Sequence, residues 1–321
     1  MTDRYGDLGL VTTRRLSAAS VDIRFRLAPG DRALVAAGES VVVGAPIAER
    51  VRDPRLVELD LVRGPERRPG ERSTEGELLF EWRGHWRIAT GDVMEPIETP
   101  VAGIVREVHP GSSIVISASG RAMPGVVAIG GPTRGRLHVA AGMDGELRPG
   151  SLDVGLAGTI LVVGARIEAE TLTRARAMGV RGVIVGGLAS KERRDFLASE
   201  RRQRAALHRL PPFAVLVMEG AVRRPLAGAV MAMLRVLAGR EVAIVADPPS
   251  LLFDAPGLTL PAPPADAVRV RSGPLGGRTG TWVGLLGPRR FAGGVHLEAA
   301  AVRFDDGRTL AVPLGDLERF V

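Results

Sequence analysis

The chain has 321 residues, enough for roughly two or three domains. With 45% hydrophobic and 25% charged residues it has the composition of a globular protein, which excludes a chain that is disordered throughout. It contains no cysteine, and this excludes a disulfide framework, a thiol nucleophile and a cysteine-ligated metal site.

The charge balance has two explanations. The net charge is +7 and the isoelectric point is about 11.0, as expected for a protein with a polyanionic partner. However, Lys191 is the only lysine among 43 lysines and arginines, and this bias, together with many Ala and Gly residues, is typical of a GC-rich genome. The charge alone leaves both explanations open.

No segment predicts export or membrane insertion. Residues 1–7 are polar and lack the features of a signal peptide. Residues 154–165 form one of the longest uncharged apolar stretches, and this stretch is shorter than the about 20 residues that span a bilayer. The sequence therefore predicts a cytoplasmic protein.

The first predicted domain, residues 1–150, is rich in β-strands. Apolar and charged residues alternate along residues 21–27, a pattern that predicts a strand with one buried face. Short β-branched runs separated by glycine and proline continue to about residue 120. The polar segment 64–76 is predicted to be an exposed loop inserted in this domain.

Two segments of this domain resemble the halves of a biotinyl/lipoyl-type domain. Residues 36–48 read AAGESVVVGAPIA, with a Gly-acid turn, an apolar pair and a second glycine, and residues 99–105 read TPVAGIV. The resemblance implies a barrel-sandwich hybrid that is split by a long insertion. Carrier domains attach their prosthetic group to a lysine between the halves, but no lysine precedes Lys191. The resemblance therefore implies the scaffold without carrier activity, and a generic β-domain remains the alternative.

Residues 151–247 are predicted to form an α/β domain. Four apolar runs are predicted strands: residues 159–163, 180–185, 213–218 and 242–245. Helical patterns lie between them, including a basic helix that Ser190 can cap and that runs to about residue 209. Strands that alternate with helices imply right-handed crossovers and a mostly parallel sheet.

Residues 248–265 are rich in proline and are predicted to be a linker to a C-terminal β-domain, residues 266–321. In this domain, residues 268–283 read VRVRSGPLGGRTGTWV and resemble the KOW motif of SH3-like barrels. KOW-type barrels of ribosomal proteins and transcription elongation factors contact RNA or protein. The whole chain is thus predicted to be a multi-domain α+β protein that ends in an SH3-like β-barrel.

The carboxyl ends of the four central strands form one candidate ligand site, since open α/β sheets bind ligands there. Six residues are candidate contacts at this edge: Gly164, Gly186, Gly187, Ser190, Glu219 and Asp247. No phosphate-loop lysine and no dinucleotide-binding glycine pattern accompanies them, so the alternative is that the glycines only form turns.

Cations form a second candidate site, for a nucleic acid or a protein partner. On the basic helix the candidates are Arg193, Arg194, Arg201, Arg202 and Arg204. In the C-terminal domain they are Arg269, Arg271, Arg278, Trp282, Arg289 and Arg290, with the aromatic ring as a stacking platform. The alternatives are a solvated helix with internal ion pairs, and a core position for Trp282.

These patterns favour a non-catalytic interaction or scaffold protein that binds a nucleic acid, a ribonucleoprotein assembly or a protein complex. No catalytic residue, cofactor or metal site is predicted. Two alternatives stay open. One is an α/β protein, an enzyme or a non-catalytic binding protein, that binds a small molecule or anion at the carboxyl edge of the central sheet. The other is a structural subunit of a redox or carrier assembly.

Overall fold

A computed structural model describes residues 6–28, 31–51, 55–59, 78–82, 85–90, 94–206 and 212–321. This part of the chain is rich in β-structure and contains several sheets and three α-helices. The chain divides into two compact units. The main unit comprises Met1–Ala19, Gly120–Ala205 and Leu210–Val321, and the inserted unit comprises Ser20–Ser119 and Ala206–Arg209. The predicted loop over residues 64–76 lies outside the described residues.

The strands and helices follow in chain order. The first half of the described chain contains β1 (Thr12–Arg14), β2 (Val21–Arg26), β3 (Arg32–Ala33), β4 (Ser40–Val41), β5 (Pro46–Val51), β6 (Arg55–Leu59), β7 (Leu78–Trp82), β8 (His85–Thr90), β9 (Met94–Glu98), β10 (Gly103–His109), β11 (Ser113–Ala118), β12 (Arg121–Pro124), β13 (Val127–Gly130) and β14 (Thr133–Val139). The second half contains β15 (Thr159–Val162), α1 (Ala169–Ala177), β16 (Gly182–Gly187), α2 (Ser190–Ala206), β17 (Ala214–Gly220), α3 (Gly228–Val236), β18 (Glu241–Ala246), β19 (Pro249–Phe253), β20 (Ala267–Val270), β21 (Thr279–Arg290), β22 (His296–Phe304), β23 (Thr309–Pro313) and β24 (Leu317–Phe320).

The inserted unit is built from three small sheets, with strand orders β2-β11-β10-β4, β3-β5-β9 and β6-β8-β7. In β2, Ile23 and Phe25 are buried while Asp22, Arg24 and Arg26 are exposed, as the alternating pattern predicts. Strands β5 and β9 pair antiparallel, from Pro46 opposite Glu98 to Val51 opposite Met94. The three strands β6–β8 lie in the chain between these two and form a sheet of their own.

An eight-stranded sheet, the central sheet, is the core of the main unit, in the order β12-β19-β18-β14-β15-β16-β17-β13. Strands β14 to β17 are parallel. The other four strands run antiparallel to their neighbours, which corrects the expectation of a mostly parallel sheet. Three of them, β12, β13 and β19, come from stretches for which the sequence predicts no part in this sheet.

Each face of the central sheet has its own apolar core, because successive side chains of a buried strand point to opposite faces. Leu161 and Val163 pack on one face with the inner sides of α1 and α2. Ile160 and Val162 pack on the other face with α3 and with Leu258 and Leu260 of the proline-rich segment. Because β19 belongs to the sheet and both of these leucines pack on it, much of the segment predicted to be a linker is packed on the main unit.

The six-stranded sheet β1-β24-β20-β21-β22-β23, called the terminal sheet below, joins the two ends of the chain. Strand β1 pairs parallel to β24, with Thr12 opposite Glu318. Leu8 and Val11 are buried in the same core as Trp282 and Phe304. Residues 8–14 therefore complete the C-terminal β-structure, and the inserted unit follows the first strand of this sheet in the chain.

Candidate functional site

At the carboxyl edge of the central sheet, where β15, β16 and β17 end, the chain's own backbone approaches three glycines closely. A Cβ atom added to Gly187 would lie 1.9 Å from the carbonyl oxygen of Val222, and one added to Gly186 would lie 2.2 Å from that of Arg224. Gly164 has φ +63° and faces the carbonyl oxygen of Gly142 in the same way, at 2.3 Å. These glycines allow segment 221–227 and the turn at 142–145 to pack against the strand ends.

Glu219, near the end of β17, lies in a buried ion-pair network rather than in an open cleft. Its Oε2 accepts hydrogen bonds from Arg269 Nη1 at 2.6 Å and from Arg14 Nη1 at 3.0 Å. Arg269 Nη1 also donates to Glu318 Oε1 at 3.1 Å, and the side chains of Arg269 and Glu219 are 1% and 3% exposed. The two arginines and two glutamates neutralise one another, as buried charges require.

This network joins four strands from distant parts of the sequence. Arg14 lies in β1, Glu219 in β17, Arg269 in β20 and Glu318 in β24. The second nitrogen of Arg269, Nη2, donates to the carbonyl oxygen of Pro225 at 2.8 Å, in the segment that packs against the carboxyl edge. The network therefore fastens the terminal sheet to the central sheet. Arg269 is a structural residue, which corrects the expectation that it faces a partner.

The structure does not bring all the candidate ligand residues together. Gly164, Gly186, Gly187 and Glu219 lie at the carboxyl edge, and Ser190 opens α2 directly after it. Asp247 follows β18, which runs antiparallel to β14, so it lies at the opposite edge of the sheet. Asp247 and Glu219 are thus separated and do not form an acid pair.

The exposed side of α2 carries a cluster of cations. Lys191, Arg194, Arg201 and Arg202 are all exposed, and their spacing of 3, 7 and 1 residues places them on one side of the helix. The opposite side is fixed by Phe196, which is buried against Phe213 with ring centroids 5.7 Å apart. We call these four cations the basic face.

Few carboxylates neutralise the basic face. Lys191 Nζ lies 3.9 Å from Glu192 and 4.0 Å from Asp195. Glu192 accepts a hydrogen bond from the backbone N–H of Ala169, the first residue of α1. Its carboxylate therefore satisfies a free N–H group at the N-terminus of that helix. Within the described residues, Arg194, Arg201 and Arg202 form no ion pair, and the surface therefore has an excess of unpaired positive charge.

The other two cations predicted on this helix lie outside the basic face. Arg193 is exposed but lies on a different side of α2 from Lys191 and Arg194, by the 3.6-residue turn of the helix. Arg204 belongs to α2, but its side chain lies outside the described residues. The predicted extension of the helix to residue 209 likewise lies outside them.

In the terminal sheet, Trp282 is part of the core. Its side chain is 5% exposed and packs with Val268, Val302 and Phe304. A buried indole cannot stack on a base without opening that core, so the expectation that it forms a stacking platform is corrected. Arg271 is exposed, and Arg278 is half-buried, with its guanidinium 4.4 Å from the centroid of the Phe304 ring.

Arg278 also binds Asp306. Its Nη2 donates to Asp306 Oδ2 at 2.9 Å, while the backbone N–H of Arg308 donates to Oδ1 at 3.0 Å. The Arg278 hydrogen bond is the largest cause, and the Arg308 amide the second, of a pKa of Asp306 below its ordinary value.

Replacing Arg278 with glutamine is expected to raise the pKa of Asp306 toward the ordinary aspartate value. Because the pKa is lowered in the folded state, the pair stabilises the fold above the unfolded-state pKa, and this contribution disappears as the pH falls through the folded-state pKa. Carbon NMR of protein labelled at its aspartates, recorded as a function of pH, measures the titration midpoint of the Asp306 carboxyl group. An Asp306 midpoint that is the same in both proteins would contradict this assignment.

Strands β21 and β22 extend beyond the rest of the terminal sheet as a two-stranded ribbon. Strand β20 pairs with β21 only up to Thr281, and β23 pairs with β22 only from Ala299 onward. No residue from 283 to 298 is buried, and this ribbon exposes Val283, Leu285, Val295 and Leu297. Arg289 and Arg290 lie near its tip and are exposed.

The described residues offer neither a metal-binding cluster nor a membrane-spanning helix. No group of three or more His, Asp or Glu side chains in that part of the chain could hold a metal ion. None of the helices described there is long and apolar enough to cross a bilayer.

The ion-pair network is the feature that sequence reasoning missed. Its four charged residues are separated by up to several hundred positions, and each one alone has the pattern of an ordinary surface charge.

No protein-family model matches the chain, and no curated protein matches its sequence.

Proposed function

We propose that the protein is a non-catalytic scaffold that binds nucleic acid, and that the basic face of α2 contacts the phosphate backbone. One observation carries the proposal: the basic face holds four exposed cations against one exposed carboxylate, that of Asp195. Phosphate contacts from arginine and lysine supply most of the sequence-independent affinity of nucleic-acid-binding proteins.

The dimensions of the basic face fit this role. Lys191 and Arg202 are eleven residues apart, which corresponds to about 16 Å along a helix that rises about 1.5 Å per residue. Phosphates of one DNA strand recur about every 3.4 Å along the duplex axis. A face of this length therefore reaches several phosphates at once, and its unpaired guanidiniums need to break no ion pair to do so.

The backbone packing and the ion pairs at the carboxyl edge support a binding role over a catalytic one. The glycines that were candidates for a ligand loop instead accommodate the backbone of segment 221–227. Glu219, the carboxylate best placed at that edge to act as an acid or base, is held between two arginines. Both observations favour a surface-binding function for the main unit.

The finer domain assignments belong to the same proposal. Six consecutively paired strands with a core of their own support an SH3-like barrel for the terminal sheet. In the inserted unit, the pairing of β5 with β9 and of β4 with β10 supports a split lipoyl-like scaffold. That resemblance is also the basis for a structural role in a redox or carrier assembly, which remains a prediction.

A second candidate function is the binding of another protein, and the ribbon favours it. Its exposed valine and leucine side chains form an apolar surface that phosphates would not cover. A partner that remains bound after nuclease treatment of a pull-down from the native cytoplasm would support this second function over the first.

Reversing the charge of the basic face tests the proposed nucleic-acid binding. The triple variant Arg194→Glu, Arg201→Glu, Arg202→Glu is expected to bind short labelled duplexes at least about a hundredfold more weakly at ~100 mM salt, because three phosphate contacts are lost. Fluorescence anisotropy with duplex RNA, duplex DNA and single-stranded RNA measures the affinity.

The matched control is Arg235→Glu with Arg240→Glu. Both arginines are exposed in the same unit, at the end of α3 and just after it, and α3 packs on the other face of the central sheet. The control is expected to lose much less affinity. The control changes the net charge by four units and the triple variant by six. Losses in proportion to these changes would mean that only the net charge matters, and unchanged binding in the triple variant would overturn the nucleic-acid function.

A further inference from the structure

The chain offers a single side-chain amine, and it lies on the basic face. Lys191 is the only lysine among 43 lysines and arginines. Its side chain is 74% exposed in the first turn of α2, next to Arg194 on the same side of the helix. Acylation of a lysine side chain can therefore occur at one position only, and that position contributes to the proposed binding surface.

The fold gains little from the charge of Lys191. A cation in the first turn of a helix faces the positive end of the helix dipole, which is unfavourable. Its two nearest carboxylates, at 3.9 and 4.0 Å, are beyond hydrogen-bonding distance, and exposed pairs of this kind contribute little to stability. The charge can therefore be removed without weakening the helix.

An arginine at this position could not react in the same way. The guanidinium stays protonated and is a poor nucleophile, whereas a lysine amine loses its proton and attacks acyl groups. Among the four cations of the basic face, Lys191 is thus the one whose charge acylation can remove.

We propose that Lys191 is an acylation site that weakens nucleic-acid binding by the basic face; this rests on the proposed function. The donor is an acyl phosphate or an acyl thioester. The deprotonated Nζ attacks the acyl carbonyl carbon, a C–N bond forms, the C–O or C–S bond to the phosphate or thiolate breaks, and the ammonium proton goes to solvent. The product is a neutral amide, so the face keeps three of its four cations.

The experiment uses acetyl phosphate as the donor and the full-length protein. Treated and untreated samples are compared by peptide mapping and by anisotropy with labelled duplex RNA and DNA over a range of salt concentrations. Acetylation is expected at Lys191, with a loss in affinity of about fivefold to tenfold at ~100 mM salt and a salt slope reduced by about one, the effect of one phosphate contact. The midpoint temperature of thermal unfolding is expected to be unchanged or slightly raised, because acylation removes a cation from the positive end of the helix dipole.

Lys191→Arg is the matched control, compared with its own untreated sample. It keeps a cation and cannot be acylated at this position, so treatment is expected to leave its affinity unchanged. The proposal is overturned if treated wild-type protein binds as before, if mapping finds Lys191 unmodified, or if the treated Lys191→Arg variant loses affinity to the same extent. An untreated chain that binds no nucleic acid would instead overturn the proposed function, and mapping would still decide whether Lys191 is the acylated residue.

Discussion

Replacing Arg269 with methionine is expected to destabilise the protein by about 3–5 kcal/mol, as measured by urea unfolding of the full chain. Arg269 donates to Glu219, Glu318 and the carbonyl oxygen of Pro225. Methionine fills much of the same volume but leaves two carboxylates short of a partner in a buried site. Arg14 still reaches Glu219 at 3.0 Å, which places the expected loss toward the lower end of that range.

The control for this variant is Arg289→Met, because Arg289 is exposed on the ribbon. Its expected effect is within about 0.5 kcal/mol. The quadruple variant Arg14→Met, Arg269→Met, Glu219→Leu, Glu318→Leu is expected to regain part of the lost stability, since it removes all four charges of the network. A loss of less than about 1 kcal/mol for Arg269→Met alone would mean that the network does not fasten the two sheets.

Replacing Leu8 with alanine is expected to lower the free energy of unfolding by about 2–5 kcal/mol, although Leu8 lies near the start of the chain. Leu8 is 2% exposed and packs in the core of the terminal sheet with Val11 and Trp282. Removing three carbon atoms there leaves a cavity between elements from the two ends of the sequence. The free energy of unfolding, measured by urea titration, gives the cost.

Leu10→Ala is the matched control, since Leu10 lies in the same short 3₁₀ turn and is 62% exposed. Its expected cost is below about 0.5 kcal/mol. If both leucines proved equally dispensable, the first residues of the chain would not belong to the terminal sheet.

The elements of the α/β region were predictable because their signals are local. Each of the predicted strands at 159–163, 180–185, 213–218 and 242–245 overlaps a strand of the central sheet, and a basic helix starts at Ser190 as expected. Long apolar runs that end at glycine, with helical patterns between them, are determined by nearby residues.

Strand direction and distant pairing were not predictable in this way. The direction of β18 depends on its pairing with β14, which lies about a hundred residues earlier and has no local signature. Strand β1 is only three residues long, too short for a periodic pattern, and its partner β24 lies at the other end of the chain.

The candidate sites show the same difference between local signals and distant packing. The cations of the basic face are exposed because they lie on the side of α2 opposite the buried Phe196. The helical spacing of these residues in the sequence already predicts that arrangement. The burial of Arg269 and Trp282 depends on which elements pack over them. Charged side chains are almost never fully buried unless paired, so a buried arginine is visible only once its partners Glu219 and Glu318 are placed beside it.

The most direct test of the nucleic-acid function is a salt titration of wild-type binding to a short duplex. If the four cations of the basic face each neutralise one phosphate, the plot of log K against log salt has a slope between about −3 and −4, at about 0.9 per contact. A slope near zero, or no binding at the lowest salt, would contradict the proposal that α2 binds phosphates.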